Sequence, residues 1–307
     1  MRAVRPLFIY LAVVFLGGAL LAPWLYHLVQ WAATGVPALE GLANNPFHRY
    51  VNRSLLALAL LGLWPLLRAL GVRSFEDVGL VKLTGHWHSV ARGFAVGFCS
   101  LACVVILVLV FGAREIKAAV PLASLCKKLA AAAVTAVVVA VLEEILFRGA
   151  IFGALRRVWR WPVALLVASA LYAIVHFFGR PEPETEVGWA TGLAMLPGML
   201  QGFLNVDQVV PGFFTLTLVG VVLALAYQRT GNLYFSIGLH GGWIFWLKSY
   251  GMLTEEMPGS NTGLWGTYRM TDGWLALGAV AVCLVVVHQW TRSRVEPALT
   301  DIGEKVP

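Results

Sequence analysis

Five side chains in this sequence have the types and spacing needed for acid–base chemistry in an apolar setting. Glu143 and Glu144 are adjacent within the hydrophobic stretch AAAVTAVVVAVLEEILFRGAIFGAL, and Arg148 follows four residues after Glu144. His176 and His240 occur in two later apolar stretches. Because an ionisable side chain at bilayer depth costs about 2.5 to 3.5 kcal/mol on insertion scales, such groups usually face a protein interior or a water-filled cavity. The pattern therefore predicts a buried reactive site.

The two glutamates are expected to have different partners. Residues four apart share one face of a helix, so Glu144 and Arg148 can form an ion pair. Glu143 is rotated by about 100° from its neighbour, which leaves its carboxylate free to face a cavity and act as a general base. A purely structural Glu–Arg pair would explain Glu144 and Arg148 but would leave Glu143 without a reason.

The histidines can be placed by counting residues from the turns that precede them. Glu143 and His176 are nearly symmetric about the WRWP sequence at 159–162. An antiparallel helix pair that turns there would hold both side chains at a similar depth. His240 lies only about nine residues after its own turn, so its helix must be staggered or tilted for the three groups to meet. A single histidine on an apolar helix is otherwise more often a satisfied core residue.

The elements that position these residues are predicted to be membrane helices. The chain has 307 residues, of which 59% are hydrophobic and only 13% charged, against about 25% charged in soluble domains. A spanning helix needs about 20 mostly apolar residues. We therefore predict an all-α, polytopic transmembrane helical bundle of about eight spans, from apolar runs at about 7–30, 54–70, 90–112, 126–155, 162–179, 211–228, 232–249 and 273–291.

The positive charge is interpreted as membrane topology. The formal net charge is +7, but the Lys and Arg residues fall in short clusters between apolar runs, as the positive-inside rule expects. This distribution argues against nucleic acid as a partner and places both chain ends on the cytoplasmic side. It predicts a multi-pass protein of the cell membrane, which is the inner membrane in a bacterial source, with membrane lipid as its surroundings.

Three regions are expected along the chain. Residues 1–125 would hold the N-terminal transmembrane helices, with an interfacial segment at about 71–89. Residues 126–250 would form the catalytic helical core. Residues 251–307 would provide an outer loop, the last transmembrane helix and a cytoplasmic tail. Within the core, the stretch 187–206 is interrupted by glycines and a proline, which favours an interfacial or re-entrant segment over a regular span.

The order of motifs resembles the CPBP family of intramembrane proteases, which includes the type II CAAX prenyl endopeptidases and bacteriocin-processing (Abi-like) enzymes. The similarity covers about residues 126–250. It rests on EExxxR, then an aromatic residue four before His176, then LYFSIGLHGGW after AYQRTGNL. The resemblance implies a helical membrane bundle that hydrolyses a peptide bond in a cavity open to the cytosol. The substrate would be a membrane-associated peptide or protein, with prenylated or CAAX-like chains as one option.

The resemblance also implies a role for each candidate residue. Glu143 corresponds to the base that activates water, and Glu144 with Arg148 to its supporting pair. His176 corresponds to the group that holds this water, and His240 to a donor to the oxyanion. No cofactor is required by this scheme.

Two positions depart from the family pattern. The aromatic residue of the second motif is Tyr172, where phenylalanine is usual. The residue four after His240 is Ile244, where the family usually has asparagine, and isoleucine has no hydrogen-bond donor. Losing one oxyanion donor typically costs about 10² to 10³ in rate, so the enzyme would be slow or inactive, or would use another donor such as Trp243 or a backbone N–H.

Three other functions remain open from the sequence. A zinc-dependent metalloprotease could use Glu143, His176 and His240 as ligands, although the H-E-x-x-H motif is absent. A catalytically impaired membrane scaffold or immunity protein would tolerate Ile244 but would not need to retain the glutamates and histidines. A transporter would be expected to show broken helices in two related halves, and only the 187–206 stretch is broken.

Overall fold

The structure of the protein is a computed structural model that describes residues 5–117 and 121–303. The end of the predicted tail, at 304–307, lies outside these residues. The longer helices, numbered in chain order, are α1 Arg5–Ala33, α2 Phe47–Ala69, α3 Trp87–Val110, α4 Leu122–Leu155, α5 Trp161–Val175, α6 Thr191–Met199, α7 Val206–Thr230, α8 Tyr234–Leu253 and α9 Trp274–Gly303.

Shorter elements connect these helices. Two strands, β1 Arg114–Ile116 and β2 Thr254–Glu256, pair antiparallel with Arg114 opposite Glu256. The remaining short elements are single turns of 3₁₀- or α-helix at Pro37–Leu39, Glu40–Ala43, Glu76–Val78, Leu200–Phe203 and Thr262–Trp265.

The predicted helical membrane bundle is confirmed. Each of the eight apolar runs folds as a helix, and among the described residues six helices are long and apolar enough to cross a membrane: α1, α2, α3, α4, α7 and the Trp274–Thr291 part of α9. The fifth run folds as α5, which has only 15 residues. The seventh run folds as α8, where His240 and Lys248 interrupt the apolar sequence. The chain is a multi-pass membrane protein.

Helix α4 shows how polarity is distributed in this fold. Val134 and Val137 are 65% and 62% exposed, whereas Glu144 is fully buried and Arg148 is 2% exposed. Apolar side chains that point outward suit an acyl-chain environment, and charged groups that point inward avoid the cost of contact with lipid. Glu144 and Arg148 therefore lie inside the protein rather than in the bilayer.

The chain divides into two compact units that are not continuous in sequence. One comprises residues 1–73 and 175–206, and the other comprises residues 74–174 and 207–307. In the first unit, α1, α2 and α6 share a core of Ala22, Phe47, Tyr50, Val51 and Met195. The predicted division at residues 125 and 250 concerns function, and it stays a prediction.

The closest helix pair of the second unit is α3 with α8. A Cβ added to Gly93 or Gly97 would lie 2.2 Å from the carbonyl oxygens of Phe235 and Leu239, respectively. The contact is reciprocal, since a Cβ on Gly238 would lie 2.0 Å from a carbonyl oxygen of α3. Small residues four apart let two backbones approach this closely, as in membrane helix pairs. The result fixes the helix that carries His240.

The two interrupted segments differ from regular helices. The predicted interfacial segment at 71–89 contains one 3₁₀ turn, Glu76–Val78, before α3 begins at Trp87. The stretch 187–206 forms the nine-residue α6 and a following 3₁₀ turn. Its glycines and its proline limit it to a short helix, which agrees with the prediction that it is not a regular span.

Candidate active site

The glutamates lie where α4 changes its geometry. The α-helical part ends with Glu143 and Glu144, and the next eight residues, Ile145–Phe152, form a π-helix. A π-helical turn is wider than an α-helical turn, and such segments inside α-helices occur frequently at functional sites. The wider turn contains Arg148, whose side chain turns back toward Glu144.

Glu144 is the centre of a buried ionic network. Its Oε1 atom lies 3.0 Å from Nη1 of Arg148 and 3.0 Å from Nδ1 of His240. All three side chains are almost completely buried. Arg148 also donates to the carbonyl oxygen of Gly220 at 3.4 Å, and its guanidinium stacks over the ring of Tyr172 at 4.7 Å. The predicted ion pair of Glu144 and Arg148 is present, and it includes a histidine.

The start of α8 brings His240 to this network. Gly231 adopts a positive φ of 70° at the preceding turn, a conformation that glycine reaches without steric cost. Asn232 then accepts a hydrogen bond through its side chain from the backbone N–H of Tyr234. His240 follows in the second turn of α8, which packs closely against α3.

His240 bridges the two glutamates. Its Nδ1 atom faces Glu144, while its Nε2 atom lies 3.7 Å from Oε2 of Glu143 and 3.2 Å from the hydroxyl of Tyr172. In a neutral imidazole only one nitrogen carries hydrogen. In the tautomer whose Nδ1–H donates to the Glu144 carboxylate, Nε2 carries a lone pair. This lone pair can accept a hydrogen bond from the hydroxyl of Tyr172.

Glu143 is the less constrained of the two acids. Its side chain is 27% exposed, yet its Oε2 atom is buried and has no hydrogen-bond partner among the described residues. A buried polar atom without a partner costs about 1 to 3 kcal/mol. Such an atom in a native fold calls for an explanation, and a water or substrate that binds during the reaction would satisfy it.

A small cavity adjoins this cluster. It has a volume of about 30 Å³, which is enough for about one water molecule. The lining is mostly apolar and includes Tyr172, Thr215, His240, Trp243 and Met270. Of the described side chains in the cluster, only Tyr172 and His240 belong to that lining, so these two connect the cavity to the glutamates.

His176 occupies a different position from the one predicted. Helix α5 ends at Val175, and His176 is exposed in the turn that follows. Gly179 and Pro181 come next in the sequence, and both residue types end helices. The expectation that His176 lies inside the helix is therefore wrong by one residue, and its depth relative to Glu143 stays a prediction. His176 also belongs to the first compact unit, and its role in holding water stays a prediction.

Ile244, which replaces the usual asparagine of the family's third motif, lies in α8. Ile244 is buried one turn after His240 and offers no donor. Trp243, which the sequence suggested as a substitute, already donates its Nε1–H to the hydroxyl oxygen of Ser100 at 2.9 Å. The indole N–H of Trp243 is thus already hydrogen-bonded to α3, and only the indole ring lines the cavity.

A zinc site would require the candidate ligands Glu143, His176 and His240 to converge. In the described part of the chain, no group of three or more His, Cys, Asp or Glu side chains is arranged to hold a metal ion. Zinc ligands lie about 2.0 to 2.2 Å from the metal in a closed tetrahedral set. The residues that do meet, Glu143 and His240, provide only part of such a set, so no step below uses a metal.

Part of the chain matches a known protein family. Residues 125–246 match the family model described as Type II CAAX prenyl endopeptidase Rce1-like. The predicted resemblance to the CPBP proteases is confirmed. The Rce1-like segment contains both glutamates, Arg148, Tyr172 and His240. Searches of curated proteins and of solved structures give no significant match.

Two features of the Rce1-like segment were not predicted. The hydroxyl of Tyr172 contacts His240, whereas the sequence predicted no role for this hydroxyl. The signal was present, because tyrosine differs from the usual phenylalanine by this hydroxyl alone. The π-helix after Glu144 had no recognisable signal, since its residues, ILFRGAIF, are also compatible with an α-helix.

Proposed function

We propose that this protein is an intramembrane endopeptidase that hydrolyses a peptide bond of a membrane-associated substrate with water activated by Glu143. One observation carries the proposal. Within the Rce1-like segment, a buried carboxylate and a partly exposed one contact the same histidine, and only the buried one is neutralised by an arginine. This division separates a supporting acid from an acid that is available for proton transfer.

The contacts favour the supporting role for Glu144. Its carboxylate receives both Arg148 and His240, so its charge is compensated inside the protein. The proton-transfer role falls to Glu143, because a carboxylate oxygen without a hydrogen-bond donor is a stronger acceptor for the hydrogen of water. Arg148 and Glu144 then act as positioning residues that hold His240.

The reaction follows from these roles. Glu143 accepts a proton from water as the water oxygen bonds to the peptide carbonyl carbon, and negative charge develops on the carbonyl oxygen. When the tetrahedral intermediate collapses, the C–N bond breaks and the leaving amine receives the proton from Glu143. In the scheme that the resemblance provides, His176 holds the water. No side chain becomes covalently bonded to the substrate.

The substrate class follows from the family name and the setting. A type II CAAX prenyl endopeptidase acts on a chain that carries a lipid near its cleavage site, and the multi-pass fold presents the buried glutamates to such a chain at the membrane. We therefore propose a prenylated, CAAX-like peptide as the substrate and the cell membrane as the location. Membrane lipid and the substrate chain are the partners.

The test is a cleavage assay with the full chain in liposomes. The probe is a farnesylated CAAX-type peptide, and mass spectrometry identifies the product and the cleaved bond. Glu143→Gln is expected to reduce turnover by about 10² to 10⁴, the usual contribution of a general base. The matched control is Glu186→Gln, which changes an exposed loop glutamate of the first unit and should leave turnover unchanged. Equal turnover of wild type and Glu143→Gln would refute the proposal.

A chelator arm distinguishes the two catalytic types. A Glu-activated water needs no metal, so the proposal expects equal turnover with and without a zinc chelator. Loss of turnover in chelator and its recovery with added zinc would instead establish the metalloprotease, with Glu143, His176 and His240 as the ligands to examine.

Ile244 favours one second candidate, the catalytically impaired scaffold or immunity protein. In that case the wild type would bind the farnesylated peptide but would not cleave it, and Glu143→Gln would bind equally well. The same liposome assay, run with a fluorescent peptide, measures both quantities.

A further inference from the structure

The free-state geometry leaves the oxyanion without an obvious donor. In the neutral tautomer of His240 whose Nδ1–H points to Glu144, the Nε2 atom is an acceptor and offers no hydrogen to the oxyanion. The N–H of Trp243 is bonded to Ser100, and Ile244 has no polar atom. A hydrolase that follows the proposed route needs at least one hydrogen-bond donor near the carbonyl oxygen.

Tyr172 has a hydroxyl in the required place. Its side chain is 3% exposed, and it lines the cavity together with His240. The hydroxyl lies 3.2 Å from Nε2 of His240, and it also interacts with the carboxylate of Glu143, both electrostatically and through a side-chain hydrogen bond. The hydroxyl is therefore beside the base as well as beside the cavity.

The ring of Tyr172 is held from two sides. The Arg148 guanidinium covers one face at 4.7 Å, and the ring of Phe147 packs edge-on at 5.0 Å. Both contacts come from the π-helical segment of α4. A donor on a fixed ring requires little reorganisation as charge develops, which is the condition under which oxyanion donors are most effective.

We propose that Tyr172 is a catalytic residue whose hydroxyl donates a hydrogen bond to the oxyanion. In the free enzyme this hydroxyl lies within hydrogen-bond distance of Nε2 of His240 and also interacts with the carboxylate of Glu143. As the carbonyl oxygen becomes negative, it becomes a stronger acceptor than a neutral nitrogen, and rotation about the C–O bond redirects the hydrogen to it. This role rests on the proposed function, and it gives the departures at Tyr172 and Ile244 a common cause, since one supplies the donor that the other lacks.

The primary test is Tyr172→Phe, which removes the hydroxyl and keeps the ring. We expect kcat to fall by about 10² to 10³, with KM and the thermal unfolding midpoint close to wild type because the contacts with Arg148 and Phe147 remain. The affinity for a phosphinic peptide, whose tetrahedral oxygens resemble the oxyanion, should fall by a similar factor. Binding of the unmodified farnesylated peptide to the variant should not change.

A rescue experiment separates donation from mere support of His240. In the Tyr172→Phe background, Ile244→Asn places an amide donor one turn after His240, and we expect it to restore kcat by at least about tenfold. A residue that only held His240 would show neither this recovery nor a loss of phosphinic-peptide affinity. That pair of negative results would overturn the proposal.

The failure of this inference can be distinguished from failure of the proposed function. Wild-type turnover in Tyr172→Phe, alongside an inactive Glu143→Gln, would remove Tyr172 from the reaction and leave the protease intact. Wild-type turnover in Glu143→Gln would refute the protease mechanism itself, and with it the oxyanion at which Tyr172 is proposed to act.

Discussion

Among the described residues, the His48–Glu182 and His240–Glu144 pairs have opposite surroundings. In the first unit, His48 pairs with Glu182, and their side chains are 23% and 45% exposed. In the second unit, His240 pairs with Glu144, and both are nearly inaccessible. An exposed pair gains about 0 to 1 kcal/mol, whereas burying two charges costs several kcal/mol per ion before any attraction is counted. The same pair of residue types therefore has little effect on stability in the first unit and is unfavourable for stability in the second.

The buried pair of His240 and Glu144 has additional partners. Glu144 also receives Arg148, and His240 also contacts Tyr172 and Glu143. The His48 pair lies beside a cavity of only about 10 Å³, which Arg180, Met195 and Met199 help to line. The comparison teaches that the second pair is maintained by a network at a cost to stability, which is the pattern expected of a functional site rather than of a stabilising contact.

Removing Arg148 should break the buried pair most severely. Arg148→Met leaves the Glu144 charge without its compensating cation, and we expect the free energy of unfolding to fall by about 3 to 5 kcal/mol. Chemical denaturation in detergent micelles measures this quantity. The double variant Arg148→Met with Glu144→Gln removes both charges and should lose less. If the single variant unfolds like wild type, the buried pair has no energetic role.

The helix contact that positions His240 should give the next largest effect. Gly97→Ala would place a Cβ 2.2 Å from the carbonyl oxygen of Leu239, the residue before His240. We expect a loss of about 1 to 3 kcal/mol from overpacking, together with reduced turnover because α8 must shift. The matched control is Gly241→Ala on α8, where the nearest atoms lie 4.0 Å from the added Cβ. Equal stability of the two variants would contradict this packing.

The exposed pair should give the smallest effect. His48→Gln is expected to change the free energy of unfolding by at most about 1 kcal/mol, and Glu182→Gln by the same amount. Any difference should decrease further at high salt, because solvent-exposed charges are screened. A loss above about 2 kcal/mol in either variant would mean that the two pairs are energetically alike, and the comparison would fail.

Local spacing explains which parts of the site could be predicted. The pair of Glu144 and Arg148 depends on a four-residue interval, which places both groups close together even after the helix widens to π geometry. The apolar runs predicted the helices because membrane helices satisfy their backbone groups within one segment. Both inferences use contacts between residues that are near in sequence.

The remaining features depend on contacts that sequence spacing does not encode. His240 meets two residues nearly one hundred positions earlier, and it does so because α3 and α8 interlock through glycines. The count of residues from the WRWP turn assumed a helix that continues through His176, and the structure ends that helix one residue too early. Gly179 and Pro181, which follow three and five residues after His176, favour the end of the helix near this point.

The central claim is that Glu143 serves the reaction and Glu144 serves the fold around it. The most direct measurement determines kcat and the unfolding midpoint on one preparation each of wild type, Glu143→Gln and Glu144→Gln. The account predicts that Glu143→Gln unfolds like wild type and cleaves at least about 10² times more slowly, and that Glu144→Gln loses stability as well as turnover. A Glu143→Gln variant that cleaves the farnesylated peptide at the wild-type rate would contradict the account.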